Sequence, residues 1–247
     1  MQKIEIGKLD KLPYSLEEAY NSLRTNLWFC GKDVRVIAVT SCMPNDGKTS
    51  VCFNLARSIA ESGKSVLLID ADMRKSVMAG RYRIGNAING LSHLLSGQTE
   101  PEDTICETNV ENLHLILAGP VPPNPSELLS SDTFRKFVEQ VKEQYDYVII
   151  DTPPLGSVID AAVVSKTCDG ICMVISANEI SYRLAQKVKE QLEKGDCRIL
   201  GVILNKVRFK TRGYYNRYYS KYYGKYYGSY YGSYYGKQEE QVKEDED

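Results

Sequence analysis

The sequence predicts an α/β fold, a mostly parallel sheet with helices on both of its faces. Three observations predict it. Short apolar, β-branched runs alternate with segments of helical spacing. The runs are apolar throughout, without the every-second-residue pattern of a half-exposed strand. Polar clusters rich in Asp, Asn, Gly and Lys follow several of them. Continuous apolar strands are buried on both faces. Alternation with helices implies right-handed crossovers between parallel neighbours, and ligands of such sheets sit at the carboxyl ends of the strands.

The elements follow in order. Ser15 and Glu18 have the spacing of a capping box, opening a helix through Leu23, Leu27 and Trp28 that Gly31 closes. Val34 to Thr40 is the first strand. A Pro-Asn-Asp-Gly cluster then leads into a helix from Lys48 to Glu61, with Gly63 as its stop. Ser65 to Asp70 is the second strand. Residues 71 to 112 offer only a short helical piece near Leu91 to Leu95. Leu113 to Leu117 is the third strand, and Gly119 to Pro125, with four prolines, is a rigid connector. Ser131 or Asp132 caps a helix to about Gln144. Tyr145 to Asp151, Ile171 to Ile175 and Ile199 to Leu204 complete the strands, with a helix from Tyr182 to Lys194 before the last.

With 247 residues, 43% hydrophobic and 26% charged, the chain can bury one substantial core. Seven cysteines without a C-x-x-C pair and only two histidines suggest neither a zinc site nor a disulfide framework, so a reducing cytoplasm is the expected setting. No stretch approaches the roughly 20 apolar residues of a membrane span. Work at a membrane would therefore require a partner to hold the chain there.

The strand-end residues suggest the chemistry. Asn45, Asp46, Gly47, Lys48, Thr49 and Ser50 join a strand to a helix, where free backbone N–H groups and the helix dipole favour an anion and a lysine adds a full charge. The phosphate-cradle pattern G-x-x-x-x-G-K-[ST] is matched except that Cys42 replaces its first glycine. Asp70, Asp72 and Asp151 fall at two further strand ends. Beside a lysine and a hydroxyl, three such acids suit a Mg²⁺-nucleotide site, with Lys48 on the β- and γ-phosphates and Thr49 on the metal. The fold expected is therefore like that of the P-loop nucleoside triphosphatases.

The end of the chain has a different character. Tyrosine pairs recur every four residues at Tyr214, Tyr215, Tyr218, Tyr219, Tyr222, Tyr223, Tyr226, Tyr227, Tyr230, Tyr231, Tyr234 and Tyr235, spaced by Gly, Ser, Lys, Arg and Asn. Five glycines among them, each costing about 1 kcal/mol in a helix, predict disorder. Eight basic residues lie between Lys206 and Lys237 without an acid, and six acids follow from Gln238 onward. Three parts are expected: residues 1–32 as an N-terminal extension with its helix, 33–206 as the nucleotide-binding domain, and 207–247 as a flexible tail. Aromatic and basic residues together can bind single-stranded nucleic acid, but no base-reading fold accompanies them, so nucleic acid is not expected as a partner.

Pro44 to Thr49, Leu67 to Arg74, Val148 to Pro154, the connector from Ala118 to Leu129 and the tyrosine cluster together resemble the bacterial tyrosine kinases (BY-kinases) of capsule and exopolysaccharide synthesis. The likeness runs from about Ser15 to Tyr235. It implies ATP and Mg²⁺ as cofactors, with the metal held through Thr49, Asp70, Asp72 and Asp151. Those three carboxylates would also activate the attacking tyrosine, the one acting as base being left open. Asn205 would lie near the adenine, and the twelve tail tyrosines would be autophosphorylated in trans. The resemblance further implies a ring-shaped homo-oligomer, a transmembrane activator that regulates polysaccharide chain length and recruits the chain to the inner face of the plasma membrane, and a cognate tyrosine phosphatase. Departures are Asn45 for Gly, Asp46 for Glu, Lys75-Ser76 for Lys-Pro, and Glu18, Asn21 and Arg24 where the assembly motif reads E-x-x-R-x-x-R. The alternatives are a partitioning or assembly switch ATPase, which would carry a second lysine at the position of Met43, and a scaffold that binds ATP without transferring it.

Overall fold

A computed structural model describes residues 1–85 and 89–207. The expectation of a flexible tail, and all twelve tail tyrosines, lie outside the described residues. The strands are β1 (Gln2–Ile4), β2 (Val36–Ser41), β3 (Val66–Asp70), β4 (Cys106–Thr108), β5 (Leu113–Ile116), β6 (Tyr147–Asp151), β7 (Gly170–Ser176) and β8 (Ile199–Asn205). Among the described residues they form one sheet in the order β1-β4-β5-β3-β6-β2-β7-β8. All neighbours run parallel except β4 and β5.

The helices are α1 (Tyr14–Phe29), α2 (Lys48–Glu61), α3 (Met78–Tyr82), α4 (Leu91–Leu95), α5 (Pro101–Thr104), α6 (Pro125–Leu129), α7 (Asp132–Gln144), α8 (Asp160–Ser165) and α9 (Tyr182–Lys194). Two apolar layers explain the continuous hydrophobic strands. Val36, Ala38, Leu67, Ile69, Val148 and Ile150 pack on one face with Phe134, Phe137 and Val141 of α7. Ile37, Val39, Val66, Leu68 and Ile149 pack on the other with Val51, Phe53, Leu55 and Ile59 of α2. Successive residues of a strand point to opposite faces, so each run must be apolar at every position.

The sequence reading needs two corrections. The capping box at Ser15 does not form. Pro13, with an extended backbone, precedes the helix, and its carbonyl accepts from the N–H groups of Leu16 and Glu17. Glu18 accepts instead from the side chain of Asn21 at 3.1 Å. Ser131, by contrast, caps α7 with its hydroxyl accepting from Phe134 N. Strands β1 and β4 and helices α3, α5, α6 and α8, each of three to six residues, were not anticipated, being too short to show a period. Residues Met1–Lys206 form one compact unit, and β1 lies in the same sheet as β2.

Candidate functional site

The loop between β2 and α2 is shaped by two residues with positive φ. Gly47, at φ 90°, precedes the first turn of α2, and a side chain there would meet Asn205 Nδ2 at 2.1 Å. Asn45 takes φ 68°, a left-handed conformation that Asn tolerates better than most residues. Asp46 braces the loop from within, its carboxylate accepting from Met43 N at 2.9 Å and its carbonyl from Asn205 Nδ2 at 2.9 Å. Cys42 is fully buried at the position of the missing glycine, and the close approach is made from the other side: a side chain on Gly156 would meet the Cys42 carbonyl at 2.1 Å. The tight approaches around the loop thus fall at Gly47 and Gly156.

Asp70 and Asp151 are register partners at the ends of neighbouring parallel strands β3 and β6, so they lie side by side on the same face. Each is 1% exposed. Lys48 Nζ donates to Asp151 Oδ1 at 2.9 Å and lies 3.6 Å from Asp72 Oδ2. Asp72 Oδ1 accepts from Lys75 N, which fixes the turn after β3. Asp70 accepts from Asp72 N at 3.2 Å and from the Ser76 hydroxyl at 2.5 Å. Burial, reinforced by the neighbouring Asp151 charge, pushes the Asp70 carboxyl up to about 7 against the opposing pull of Ser76 and Lys48. For Lys48 burial alone would lower the pKa, but Asp151 and Asp72 hold it above the usual lysine value.

Asp151 Oδ2 is buried and has no hydrogen-bond partner among the described residues. An ionised oxygen in that position is costly unless a cation or donor reaches it. The arrangement therefore fits a divalent cation. Three acids do not form a ready metal cluster among the described residues, because Lys48 is inserted between Asp151 and Asp72. The remaining ligands would have to come from phosphate oxygens and water, the usual way Mg²⁺ is held in phosphate-transfer sites.

A cavity of about 230 Å³ opens above this cluster, lined by the loop from Pro44 to Thr49, by Asp72, Arg74, Lys75 and Arg81, and by Pro153 and Pro154. Thr49 lies beside Lys48, with Oγ1 3.5 Å from Nζ. Ser50 is engaged by Arg81 Nη1 at 2.7 Å, and Asn205 reaches the site through the loop it braces. Arg74 donates from Nε and Nη2 to both oxygens of Asp160, at 2.7 and 3.1 Å, and from Nη2 to Ser126 Oγ at 2.8 Å. Arg81, Ser126 and Asp160 had no signal in the sequence, since none sits in a phosphate or metal motif. Arg74 was visible as the last residue of the acidic strand-end stretch.

The proposed assembly residues lie away from this cavity. Arg24 donates from Nη1 to the Ser58 carbonyl at 2.5 Å and to its hydroxyl at 3.2 Å, and its guanidinium sits 5.4 Å from the Trp28 ring. Glu18 is exposed on α1.

A protein-family profile described as an AAA domain matches residues 34–194. The tyrosine-protein kinase CpsD of Streptococcus agalactiae is 45% identical over 198 residues, which are 80% of this chain and 86% of that protein. The chain belongs to the bacterial tyrosine-protein kinases. Solved structures agree with that assignment. The kinase domain of the Escherichia coli tyrosine kinase ETK matches this kinase with a TM-score of 0.76 at 33% identity, over 84% of this chain and 85% of that one. The chimerical protein CapA2B2 matches with a TM-score of 0.75 at 33% identity, over 85% and 95%. In this kinase Lys48, at the end of the loop after β2, reaches Asp151 of β6 and Asp72 just beyond β3. No helix among the described residues is long and apolar enough to cross a membrane.

Proposed function

We propose that the kinase transfers the γ-phosphoryl group of ATP to tyrosines 214 to 235 of its own chain, in trans within a homo-oligomer. The observation that carries this is Asp151 Oδ2, buried and without a hydrogen-bond partner among the described residues, beside a cavity-lining lysine already shared between two carboxylates. Lys48 binds the β- and γ-phosphates, Asn45 to Ser50 present backbone N–H groups to them, and Asn205 lies toward the adenine. Thr49, Asp70, Asp72 and Asp151 would hold Mg²⁺, which would neutralise the charge that spreads over the phosphate oxygens during transfer. The tyrosine oxygen forms a bond to the γ-phosphorus as the bond from that phosphorus to the β–γ bridging oxygen breaks, leaving ADP. The phenol, with an ordinary pKa near 10, passes its proton to one of the three carboxylates.

The same reading extends to the setting. The kinase acts on the cytoplasmic face of the plasma membrane, recruited by a transmembrane activator, in the polymerisation or export of a capsular or exopolysaccharide. A tyrosine phosphatase reverses the modification. Each phosphate adds about −1.5 to −2 charges, so five phosphotyrosines would about cancel the eight basic residues between Lys206 and Lys237, and more would reverse the sign. The exposed face of α1 around Glu18 supports assembly, whereas Arg24 is committed to Ser58 of its own chain.

Incubation with Mg²⁺ and ATP, with and without activator fragments, followed by phosphotyrosine mapping, tests the proposal. Tail phosphotyrosine is expected, with little left when the twelve tyrosines are replaced by Phe although ATP still binds. ADP and free phosphate without phosphotyrosine would indicate a switch ATPase. An unchanged first-order rate in a verified monomer would count against transfer in trans.

A further inference from the structure

The phosphate cradle is short of positive charge. Met43 occupies the place where a second loop lysine would stand, and Lys48 already faces Asp151 and Asp72. The other cations lining the cavity are Arg74, Lys75 and Arg81. Arg81 donates to the Ser50 hydroxyl, and Lys75 is exposed. Arg74 is different because its orientation is fixed. Asp160, 1% exposed at the start of α8, accepts two hydrogen bonds from it, and Ser126 of α6 donates to Asp160 at 2.6 Å while accepting from Arg74. These bonds use Nε and Nη2 of the guanidinium and leave Nη1 outside them. Two elements with no residue in the phosphate loop therefore hold one guanidinium at the cavity that contains Lys48 and Asp72.

We infer that Arg74 is a catalytic residue of this kinase, its guanidinium donating to the γ-phosphoryl group as it moves from ATP to tyrosine, with Asp160 and Ser126 as the residues that position it. The inference rests on the phosphotransfer reading above. The oxygens of the transferring group gain hydrogen-bond donors that need no reorganisation, which is why fixed donors are effective in such transition states. The bidentate carboxylate grip supplies the fixing, since it constrains both position and plane of the guanidinium. The bonds made and broken remain those of the transfer itself, and Arg74 keeps its protons throughout.

The competing explanation is structural: Arg74 would serve only to tie α6 and α8 to the turn after β3. Two variants of the full chain separate these roles. Arg74→Gln removes the donor but strands the buried Asp160 carboxylate, whereas Arg74→Gln combined with Asp160→Asn removes both charges. Total phosphotyrosine formed with Mg²⁺ and ATP is measured together with the Kd of a fluorescent ATP analogue and the melting temperature. We expect Arg74→Gln to lower the rate about 10²- to 10³-fold, as loss of one transition-state donor does, with the Kd within threefold of the unaltered chain. The double variant should recover melting temperature and stay as slow. Arg74→Lys should retain more activity than Arg74→Gln, and Asp160→Asn alone should fall between the two.

Recovery of the rate along with stability in the double variant would overturn the inference, as would a loss confined to nucleotide affinity. Because total phosphotyrosine is read, label falling outside the tail would overturn the acceptor assignment while leaving the Arg74 comparison standing. Absence of any phosphotyrosine from the unaltered chain would overturn both.

Discussion

The two ends of the sheet carry the same residue type in opposite circumstances. At the amino ends of the strands, Asp146 accepts from Ser65 N at 2.9 Å, from the Ser65 hydroxyl at 3.0 Å and from Lys64 at 3.2 Å. Asp169 accepts from Arg35 N and Val36 N at 2.9 and 2.8 Å and is paired with Lys142. Backbone and side-chain donors at Ser65 hold the Asp146 carboxyl below its ordinary range. For Asp169 burial works the other way but is outweighed by Lys142 and the two N–H groups. At the carboxyl ends, Asp70 is pushed up to about 7 and Asp151 has an oxygen with no partner. The larger cavity, about 620 Å³, is at the amino end, between Trp28, Arg35, Lys64 and Tyr147. Cavity size therefore misleads here. Carboxylates whose needs are met inside the fold mark its structural end, and carboxylates left wanting mark the end where a ligand completes the protein.

The largest expected effect breaks the comparison at its active end. Lys48→Met should reduce phosphotyrosine formation by about 10³-fold or more while circular dichroism stays native, because phosphate transfer depends on fixed cations that no other loop residue supplies. Asp169→Asn should do the reverse. It weakens donors' bonds at the amino ends of β2 and β7, and is expected to cost about 1 to 3 kcal/mol of stability. The phosphotransfer rate per folded molecule should remain within twofold. A large loss of activity with unchanged melting temperature in Asp169→Asn would remove the distinction between the two ends.

A smaller effect sharpens it through pH. Asp70 has a raised carboxyl, so between about pH 4 and 7 the folded chain binds a proton that the unfolded chain has lost. Its contribution to stability is present at low pH and is lost as pH rises through that window. Asp169, held low, contributes above the ordinary carboxylate range and loses its contribution as pH falls. Melting curves of the nucleotide-free chain should therefore respond in opposite directions. Asp70→Asn should raise the melting temperature at pH 8 by a few degrees and change it little at pH 5, since about 1 kcal/mol corresponds to roughly 2 to 4 °C at this size. Asp169→Asn should lose most at neutral pH.

Much of this contrast was legible in the sequence. The parallel sheet followed from Val36 to Val39 and Leu67 to Ile69, whose lack of alternation has a direct cause in the two apolar layers. Asp70, Asp72, Asp151 and Lys48 were legible because strand-end acids and a strand-to-helix lysine converge in any such sheet. Their inequality was not, because it depends on register: Asp70 and Asp151 are direct partners, a relation set by the pairing of β3 with β6 and by no local pattern. Asp160 and Ser126 were silent for a similar reason. They lie 86 and 52 residues from Arg74, on helices too short to announce themselves. The capping box at Ser15 misled because spacing says nothing of the preceding backbone, and Pro13 had already met the first N–H groups.

The smallest effect concerns the hydroxyl of Ser76. Its bond to Asp70 Oδ2, at 2.5 Å, opposes the upward push on that carboxyl together with the charge of Lys48. A hydroxyl donating to an ionised carboxylate is worth roughly twice the same bond to a neutral one. Ser76→Ala should therefore move Asp70 further upward and lower the melting temperature by about 1 to 3 °C at pH 8, but by about half as much at pH 5, where Asp70 carries its own proton. Asp70→Asn provides the control. In that background no charge remains for the hydroxyl to meet, and Ser76→Ala should cost the same at both pH values. Equal losses at both pH values in the unaltered background would mean that Ser76 serves the turn after β3 and not the charge on Asp70. The charge on Asp70 would then be opposed chiefly by Lys48.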